Sequence, residues 1–195
     1  MEENNEVTLK LIGDLEELNQ YLKDNNFKVT GHFTLYDTYM IPNDLNLEEE
    51  SIRDIISKAI IIRKVEDFYK NEIRRDVVYK IKDFDENGDI VSQKSIRMKI
   101  KDSKEGIIFF SNIGYKTIMY IVEEDYEYSN GEITFATKDI KDGLKLIEVE
   151  TRFNSKYNTI DKIINYLKDE KMPLDFSDCF IKKAEIELSK VLNRN

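Results

Sequence analysis

The chain has 195 residues, of which 41% are hydrophobic and 35% are charged, and this composition predicts one folded domain over residues 1–195. Its 39 Asp and Glu outnumber its 30 Lys and Arg, which gives a formal net charge of −9 at pH 7. A chain this acidic has no general attraction for nucleic acid phosphates or anionic lipid, so we expect neither nucleic acid nor membrane partners.

The scarcity of cysteine and histidine limits the chemistry that the chain can perform. Cys179 and His32 are the only residues of their types. This excludes a disulfide framework, a cysteine-rich zinc or iron–sulfur site and every multi-histidine metal site. The first ten residues lack signal-peptide features and no apolar run is long enough to cross a bilayer, so we expect a cytoplasmic location. Catalysis would then depend on carboxylates, lysine, arginine and tyrosine.

The first predicted elements are a strand and a helix. Alternation over residues 6–12 predicts a half-buried strand with Glu6, Thr8 and Lys10 on one face. Asp14 is a predicted helix cap, because leucines at helical spacing follow it.

Strands dominate the next part of the chain. Residues 27–40 are β-branched and aromatic and predict a strand with a bulge at Gly31. A short helix over 48–58 and an apolar strand over 59–65 follow.

Two hairpins are predicted farther on. Residues 75–84 pair with 90–101 across an Asn-Gly turn, and 115–128 pair with 132–137 across Ser-Asn-Gly. A helical segment at residues 103–112 lies between the two hairpins. A last strand over residues 145–153 and two C-terminal helices complete about eight strands, an α+β chain with an antiparallel sheet or barrel.

Three predicted strands carry charged residues two positions apart, which places each pair on one strand face. The pairs are Glu6 and Lys10, Arg97 and Lys99, and Glu148 and Glu150. If these faces line a barrel interior, the cations could hold polyphosphate oxygens and the carboxylates a divalent metal. The alternative is a solvated exterior face.

Six segments in chain order share their pattern with one protein family. They are residues 6–10 (EVTLK), 36–42 (YDTYMIP), 59–63 (AIIIR), 78–80 (VYK), 142–150 (DGLKLIEVE) and 180–184 (FIKKA). Together they resemble the CYTH superfamily, the triphosphate tunnel proteins that include class IV adenylate cyclases, thiamine triphosphatases and inorganic triphosphatases. The resemblance spans about residues 5–190. It implies an antiparallel eight-stranded β-barrel or tunnel with helices packed outside.

The resemblance also implies a site. Mg²⁺ or Mn²⁺ would be held by Glu6, Glu148 and Glu150, and Lys10 and Lys80 would be catalytic. The residues expected to contact phosphate are Lys10, Arg63, Lys80, Arg97 and Lys99, with Lys82 as a substitute. The ligand would be a small-molecule triphosphate such as ATP, thiamine triphosphate or inorganic triphosphate. The implied reaction is metal-dependent hydrolysis, or cyclisation of ATP.

Several positions depart from the family pattern. Thr8 replaces a glutamate of the opening motif, Ile61 replaces an arginine, and Glu123 and Asp125 stand where the family places cations. Two alternatives therefore stay open. The first is a catalytically degenerate protein that binds a phosphorylated ligand or a protein partner. As a separate alternative for the carboxylates, Glu148 and Glu150 would only form ion pairs with Lys10 and Lys80 inside a closed barrel. The second is an interaction protein whose acidic surface meets a basic partner. A homodimer is also left open.

Overall fold

Nine β-strands and five α-helices form in the part of the chain that the computed structural model describes, residues 6–84, 86 and 90–194. The strands are β1 (Glu6–Leu11), β2 (Lys28–Pro42), β3 (Ile60–Asp67), β4 (Glu72–Phe84), β5 (Ile90–Lys99), β6 (Tyr115–Ser129), β7 (Thr134–Ile140), β8 (Lys145–Glu150) and β9 (Leu174–Asp175). The helices are α1 (Leu15–Asp24), α2 (Ile52–Ser57), α3 (Ser103–Asn112), α4 (Ile160–Asp169) and α5 (Lys183–Val191).

All nine strands belong to one antiparallel sheet in the order β5-β4-β3-β2-β6-β7-β8-β1-β9. The predicted α+β class with an antiparallel sheet is confirmed. The ninth strand was not predicted, because two residues are too few to show a period. Among the described residues β5 and β9 are the edge strands, and no backbone hydrogen bonds between them close the sheet.

Alternation along the strands separates an apolar outer face from a charged inner face, which we define as the face that carries Glu6, Arg63 and Glu148. In β1 the fully buried Val7 and Leu9 point outward, and they share a core cluster with residues of α1 and α4. A second outer cluster lies under α3. The predicted packing of helices outside the sheet is confirmed for α1, α3 and α4.

Helices α2 and α5 lie on the other side of the sheet. Ile55 of α2 and Leu188 of α5 are fully buried against inner-face residues that include Tyr39 and Ile61. These two helices therefore cover one end of the inner face, and the charged residues occupy the rest of it.

Local signals in the sequence account for most element boundaries. The Asp14 carboxylate accepts a hydrogen bond from the Glu17 amide at 2.8 Å and begins α1 as predicted. The predicted bulge at Gly31 is confirmed by a register shift between Val29 and Gly31. The β4–β5 pairing is confirmed, although most of its Asn-Gly turn lies outside the described residues.

Three of the boundaries that differ from the prediction have a cause in the local structure. Helix α2 begins only after Ser51, whose side chain caps it by accepting from the Asp54 amide. Strand β8 ends at Glu150 in a 3-10 turn over Thr151–Phe153. The last helix begins at Lys183, because the preceding backbone bonds to β1: Thr8 donates to the Cys179 carbonyl and Ile181 donates to the Thr8 carbonyl. None of the described helices is long and apolar enough to cross a membrane.

Candidate triphosphate and metal site

A cavity of about 670 Å³ lies on the inner face of the sheet beside α2 and α5. Its described lining includes nine Lys and Arg and five Glu. The cavity is therefore net positive although the chain carries a net charge of −9. Such a reversal of local charge attracts anions to one place on an otherwise acidic protein.

Three carboxylates meet at one end of this cavity. In the β1–β8 ladder Glu6 lies opposite Glu150, and Glu148 lies opposite Thr8. Because residues two apart on a strand point the same way, all three glutamates reach the inner face. One carboxylate oxygen from each lies within 4.8 Å of the others, and all three residues are half-buried. This all-oxygen set is of the kind that hard divalent cations bind, so the residues present fit Mg²⁺ or Mn²⁺.

Three of the cations expected to contact phosphate line the same cavity: Arg63 of β3, Lys80 of β4 and Arg97 of β5. Burial and the neighbouring charge of Arg63 lower the pKa of Arg97 from its ordinary value. The guanidinium groups of Arg63 and Arg97 thus line the same space. Like charges gathered in this way favour a bound anion.

The structure places Lys10 and Lys99 outside the cavity lining. Lys10 lies two positions beyond Thr8 on β1, and Lys99 lies two positions beyond Arg97 on β5, so each shares a strand face with a lining residue. In the sheet Lys10 is opposite Asp175, and Lys99 is opposite Asp76. Two strand residues span about 6.6 Å. Both lysines are exposed. The side chain of Lys82 is outside the described part of the chain.

Arg63 is held by a buried partner. Its Nε donates to Asp37 Oδ1 at 2.7 Å and its Nη2 donates to Asp37 Oδ2 at 2.5 Å. Burial disfavours the guanidinium charge, but Asp37 more than offsets this effect and raises the pKa of Arg63. The Nε and Nη2 groups of Arg63 therefore donate to Asp37 rather than to a ligand in the cavity.

Two lysines that sequence reasoning missed as site residues compensate the reversed charges at Glu123 and Asp125. Lys138 Nζ lies 2.9 Å from Asp125 Oδ2, 3.4 Å from Glu148 Oε1 and 4.0 Å from Glu123 Oε1. Lys183 Nζ donates to Glu123 Oε2 at 2.5 Å. Asp125 and Lys138 are paired across the β6–β7 hairpin, but the predicted second strand of that hairpin ended at residue 137, so the sequence analysis did not include Lys138.

Glu148 and Glu150 form ion pairs with two residues that were not among their expected partners. Glu148 pairs with Lys138, and Glu150 Oε2 lies 2.5 Å from Arg152 Nε. Lys10, one of the lysines considered as a partner for these glutamates, lies outside the cavity lining and opposite Asp175.

The buried acids Glu123 and Asp125 share their lysines unequally. Burial raises the pKa of Glu123, but Lys183 and Lys138 outweigh it and hold that pKa well below its usual value. Burial also raises the pKa of Asp125, and there the single ammonium of Lys138 does not outweigh burial and the charge of Glu123, so the pKa of Asp125 rises to about 6. Of these two acids, Asp125 therefore holds a proton more readily than Glu123.

This arrangement predicts the pH dependence of one variant. The folded chain holds the Asp125 proton more tightly than the unfolded chain does. Protonation of Asp125 therefore stabilises the fold fully below pH 3.8, and this stabilisation is lost as pH rises through about 6. Asp125→Asn cannot ionise, so we expect its free energy of unfolding to improve relative to wild type between about pH 4 and pH 8. Urea unfolding of both proteins checks this, and a relative gain by wild type as pH rises would contradict it.

Comparisons with known proteins give structural matches only. No protein-family model matches this sequence, and no curated protein matches it. The PH1819 protein of Pyrococcus horikoshii OT3 has a TM-score of 0.69 at 18% identity, over 95% of this chain and 99% of that chain. A Vibrio parahaemolyticus protein described as a "putative adenylate cyclase" has a TM-score of 0.57 at 11% identity, over 95% and 98%.

A third solved structure is similar over most of its length. It is a Hippeastrum protein described as a "putative adenylyl cyclase" that "reveals a dominant" triphosphatase activity, with a TM-score of 0.54 at 12% identity over 90% of this chain and 91% of that chain. Likeness at such identities concerns the fold alone. The chain thus has a CYTH-like fold, and the resemblance that its six segments predicted is confirmed at the level of the fold.

Proposed function

We propose that the protein binds a small-molecule triphosphate in the inner-face cavity and processes it with a divalent cation held by Glu6, Glu148 and Glu150. The observation that carries this proposal is that one cavity combines the three-carboxylate cluster with an excess of lysine and arginine. A triphosphate and its metal ion need both features at once, because the phosphate oxygens require cations and the metal requires carboxylates.

Each part of the cavity has a distinct task in this proposal. Mg²⁺ or Mn²⁺ would supply Lewis-acid polarisation of a phosphoryl oxygen. Lys80 and Arg97 bind and orient the phosphate chain and offset its charge, and Arg63, which also lines the cavity, adds positive charge. The proposal does not use Lys10, which lies outside the lining.

The names of the structural neighbours support a triphosphate ligand of this kind. One is described as a "putative adenylate cyclase" and another as a "putative adenylyl cyclase" with a dominant triphosphatase activity. Attack of water on a phosphorus of the triphosphate breaks a P–O–P bond and releases phosphate or pyrophosphate. Attack of the ribose 3′-hydroxyl on the α-phosphorus of ATP gives cyclic AMP and releases pyrophosphate. The two outcomes share the same site and differ in the nucleophile.

Product analysis tests the proposal. The pure protein is incubated with ATP, thiamine triphosphate and inorganic triphosphate, first in Mg²⁺ and then in Mn²⁺. Phosphate release is the expected result for a triphosphatase, and cyclic AMP is the expected result for a cyclase. No turnover of any of the three would contradict an enzymatic function.

A matched pair of variants tests the phosphate contacts. Arg97→Ala is expected to weaken binding of inorganic triphosphate by about 10- to 100-fold, since a hydrogen bond to a charged group contributes about 1.5–3 kcal/mol. Lys99→Ala removes the same charge two residues farther along β5, outside the lining. It should change the affinity about twofold or less, because exposed charges are screened. Calorimetric titration at one salt concentration compares the two, and equal losses would contradict the placement of Arg97.

A binding protein without catalysis is the second candidate. It is favoured because two cationic side chains that line the cavity already form ion pairs with acids of the protein itself. Arg63 pairs with Asp37, and Lys183 pairs with Glu123. Such pairs reduce the positive charge left for phosphate. A triphosphate that raises the melting temperature and is recovered unchanged would identify a binding protein.

A further inference from the structure

We propose that Arg152 is a further phosphate-binding residue, which holds the part of the triphosphate that lies beside Glu148 and Glu150. This inference rests on the proposed function, because it concerns a contact to the ligand of the same cavity. It adds a residue that none of the six family-like segments contains, since Arg152 lies between segments 142–150 and 180–184.

The end of β8 places Arg152 next to the carboxylates. The strand stops at Glu150, and the 3-10 turn Thr151–Phe153 follows it directly. The side chain of Arg152 lines the cavity, and its Nε lies 2.5 Å from Glu150 Oε2. Its guanidinium carbon also lies 4.5 Å from the centre of the Phe153 ring. These contacts hold the guanidinium at the cavity wall beside the three-carboxylate cluster.

The cations that the proposed function already uses come from another part of the sheet. Arg63, Lys80 and Arg97 lie on β3, β4 and β5, and in the sheet order five strands separate β5 from β8. Arg97 and Arg152 nevertheless line the same cavity. Burial lowers the pKa of Arg97, and the positive charges of Arg63 and Arg152 lower it further. Arg152 therefore brings a cation to this cavity from the part of the chain that also supplies carboxylates.

Exposure distinguishes Arg152 from the other cation that pairs with a β8 glutamate. Lys138 Nζ has three acids within 4.0 Å, and its side chain is only 11% exposed. Arg152 pairs with Glu150, and 44% of its side chain is exposed. Of the two, Arg152 is therefore the cation that a ligand can reach more easily.

The chemistry of arginine suits this position. A guanidinium has five N–H donors in a planar fork, so Arg152 can pair with Glu150 and still donate to a phosphate oxygen. The carboxylates of Glu148 and Glu150 repel a phosphate chain, and a positive charge beside them offsets that repulsion. Arg152 would thus let the phosphate chain approach the three-carboxylate cluster.

Binding of inorganic triphosphate in the presence of EDTA tests the inference without any measurement of turnover. Calorimetric titrations at one salt concentration compare wild type, Arg152→Met and, as the matched control, Lys156→Met. Lys156 also pairs with a glutamate, Glu132 at 3.2 Å, but it is not part of the cavity lining. We expect Arg152→Met to weaken binding by about 10- to 100-fold and Lys156→Met by about twofold or less.

A second background separates a phosphate contact from neutralisation of Glu150. Arg152→Met leaves the Glu150 carboxylate without the guanidinium beside it, and that bare charge would by itself repel a triphosphate. Glu150→Gln removes this repulsion. We therefore expect Arg152→Met to weaken binding by about 10-fold or more in the Glu150→Gln background as well.

The outcomes distinguish this inference from the proposed function. Equal affinity of wild type and Arg152→Met, or a loss that disappears in the Glu150→Gln background, would overturn the inference and leave the proposed function standing. No binding by wild type in EDTA would also overturn it, because the cavity cations would then not hold the phosphate chain themselves. If Mn²⁺ then restored binding, the proposed function would still stand, and no binding in either condition would contradict both.

Melting temperatures without ligand check that the variants fold. Because the Arg152 side chain is 44% exposed, Arg152→Met is expected to melt within about 4 °C of wild type. If it does not fold, Arg152→Lys keeps the charge and removes the planar fork. This variant is expected to bind triphosphate more weakly than wild type, and an unchanged affinity would overturn the inference.

Discussion

Replacing Glu148 and Glu150 together by glutamine is expected to lower metal-dependent triphosphate turnover by about 100-fold or more. The two amides keep the shape of the carboxylates but remove two of the three charges that would hold the cation. Stabilisation of transition-state charge by a metal is worth several kcal/mol, and each 1.36 kcal/mol is a factor of ten in rate. Initial rates with Mg²⁺ and with Mn²⁺ measure the effect.

The matched control is Glu66→Gln. Glu66 lies in the same sheet and forms an ion pair with Lys64 at 2.5 Å, but it is not part of the cavity lining. It should retain the wild-type rate and the wild-type Mn²⁺ affinity. A double variant of Glu148 and Glu150 that keeps its rate within about threefold of wild type would show that the cation is not held there.

The second large effect concerns stability. Asp37→Ala is expected to lower the free energy of unfolding by about 3–5 kcal/mol, because it leaves the guanidinium of Arg63 buried without its partner. Asp37 is 3% exposed and Arg63 is 9% exposed, so the pair is largely shielded from water. Urea unfolding followed by circular dichroism gives the difference.

A surface ion pair serves as the comparison. Asp139→Ala removes the partner of Lys145, at 3.8 Å, from a pair whose side chains are both more than 40% exposed. Exposed pairs contribute about 1 kcal/mol or less. If the two aspartate variants lose similar amounts, burial is not what makes the Asp37–Arg63 pair important.

Short-range periodicity explains how much of the site could be predicted. Glu148 and Glu150 were placed on one strand face because side chains alternate along a strand, and this holds in β8. The same rule placed Lys10 with Glu6 and Lys99 with Arg97. It could not show where the cavity ends along each strand, and both lysines lie beyond that end.

Long-range pairing explains what could not be predicted. Lys183 reaches Glu123 across 60 residues of sequence, and it does so because α5 starts at Lys183 after the chain has bonded to β1. In the sequence, Glu123 stood where the family places a phosphate-binding cation. In the fold, the Glu123 carboxylate instead forms an ion pair with Lys183.

The order of the five helices and of every strand except the two-residue β9 could be predicted from the sequence, and so could the residues that share each strand face, because these properties follow from local alternation, capping and turn chemistry. That Glu6 meets Glu148 and Glu150 was expected only from the family resemblance. Only the tertiary structure decided which face is turned toward the cavity, how far the cavity extends, and that Lys138 stands among Asp125, Glu123 and Glu148. Those decisions depend on the register of β6, β7 and β8 and on the packing of α5. Both arise from contacts between residues far apart in the chain.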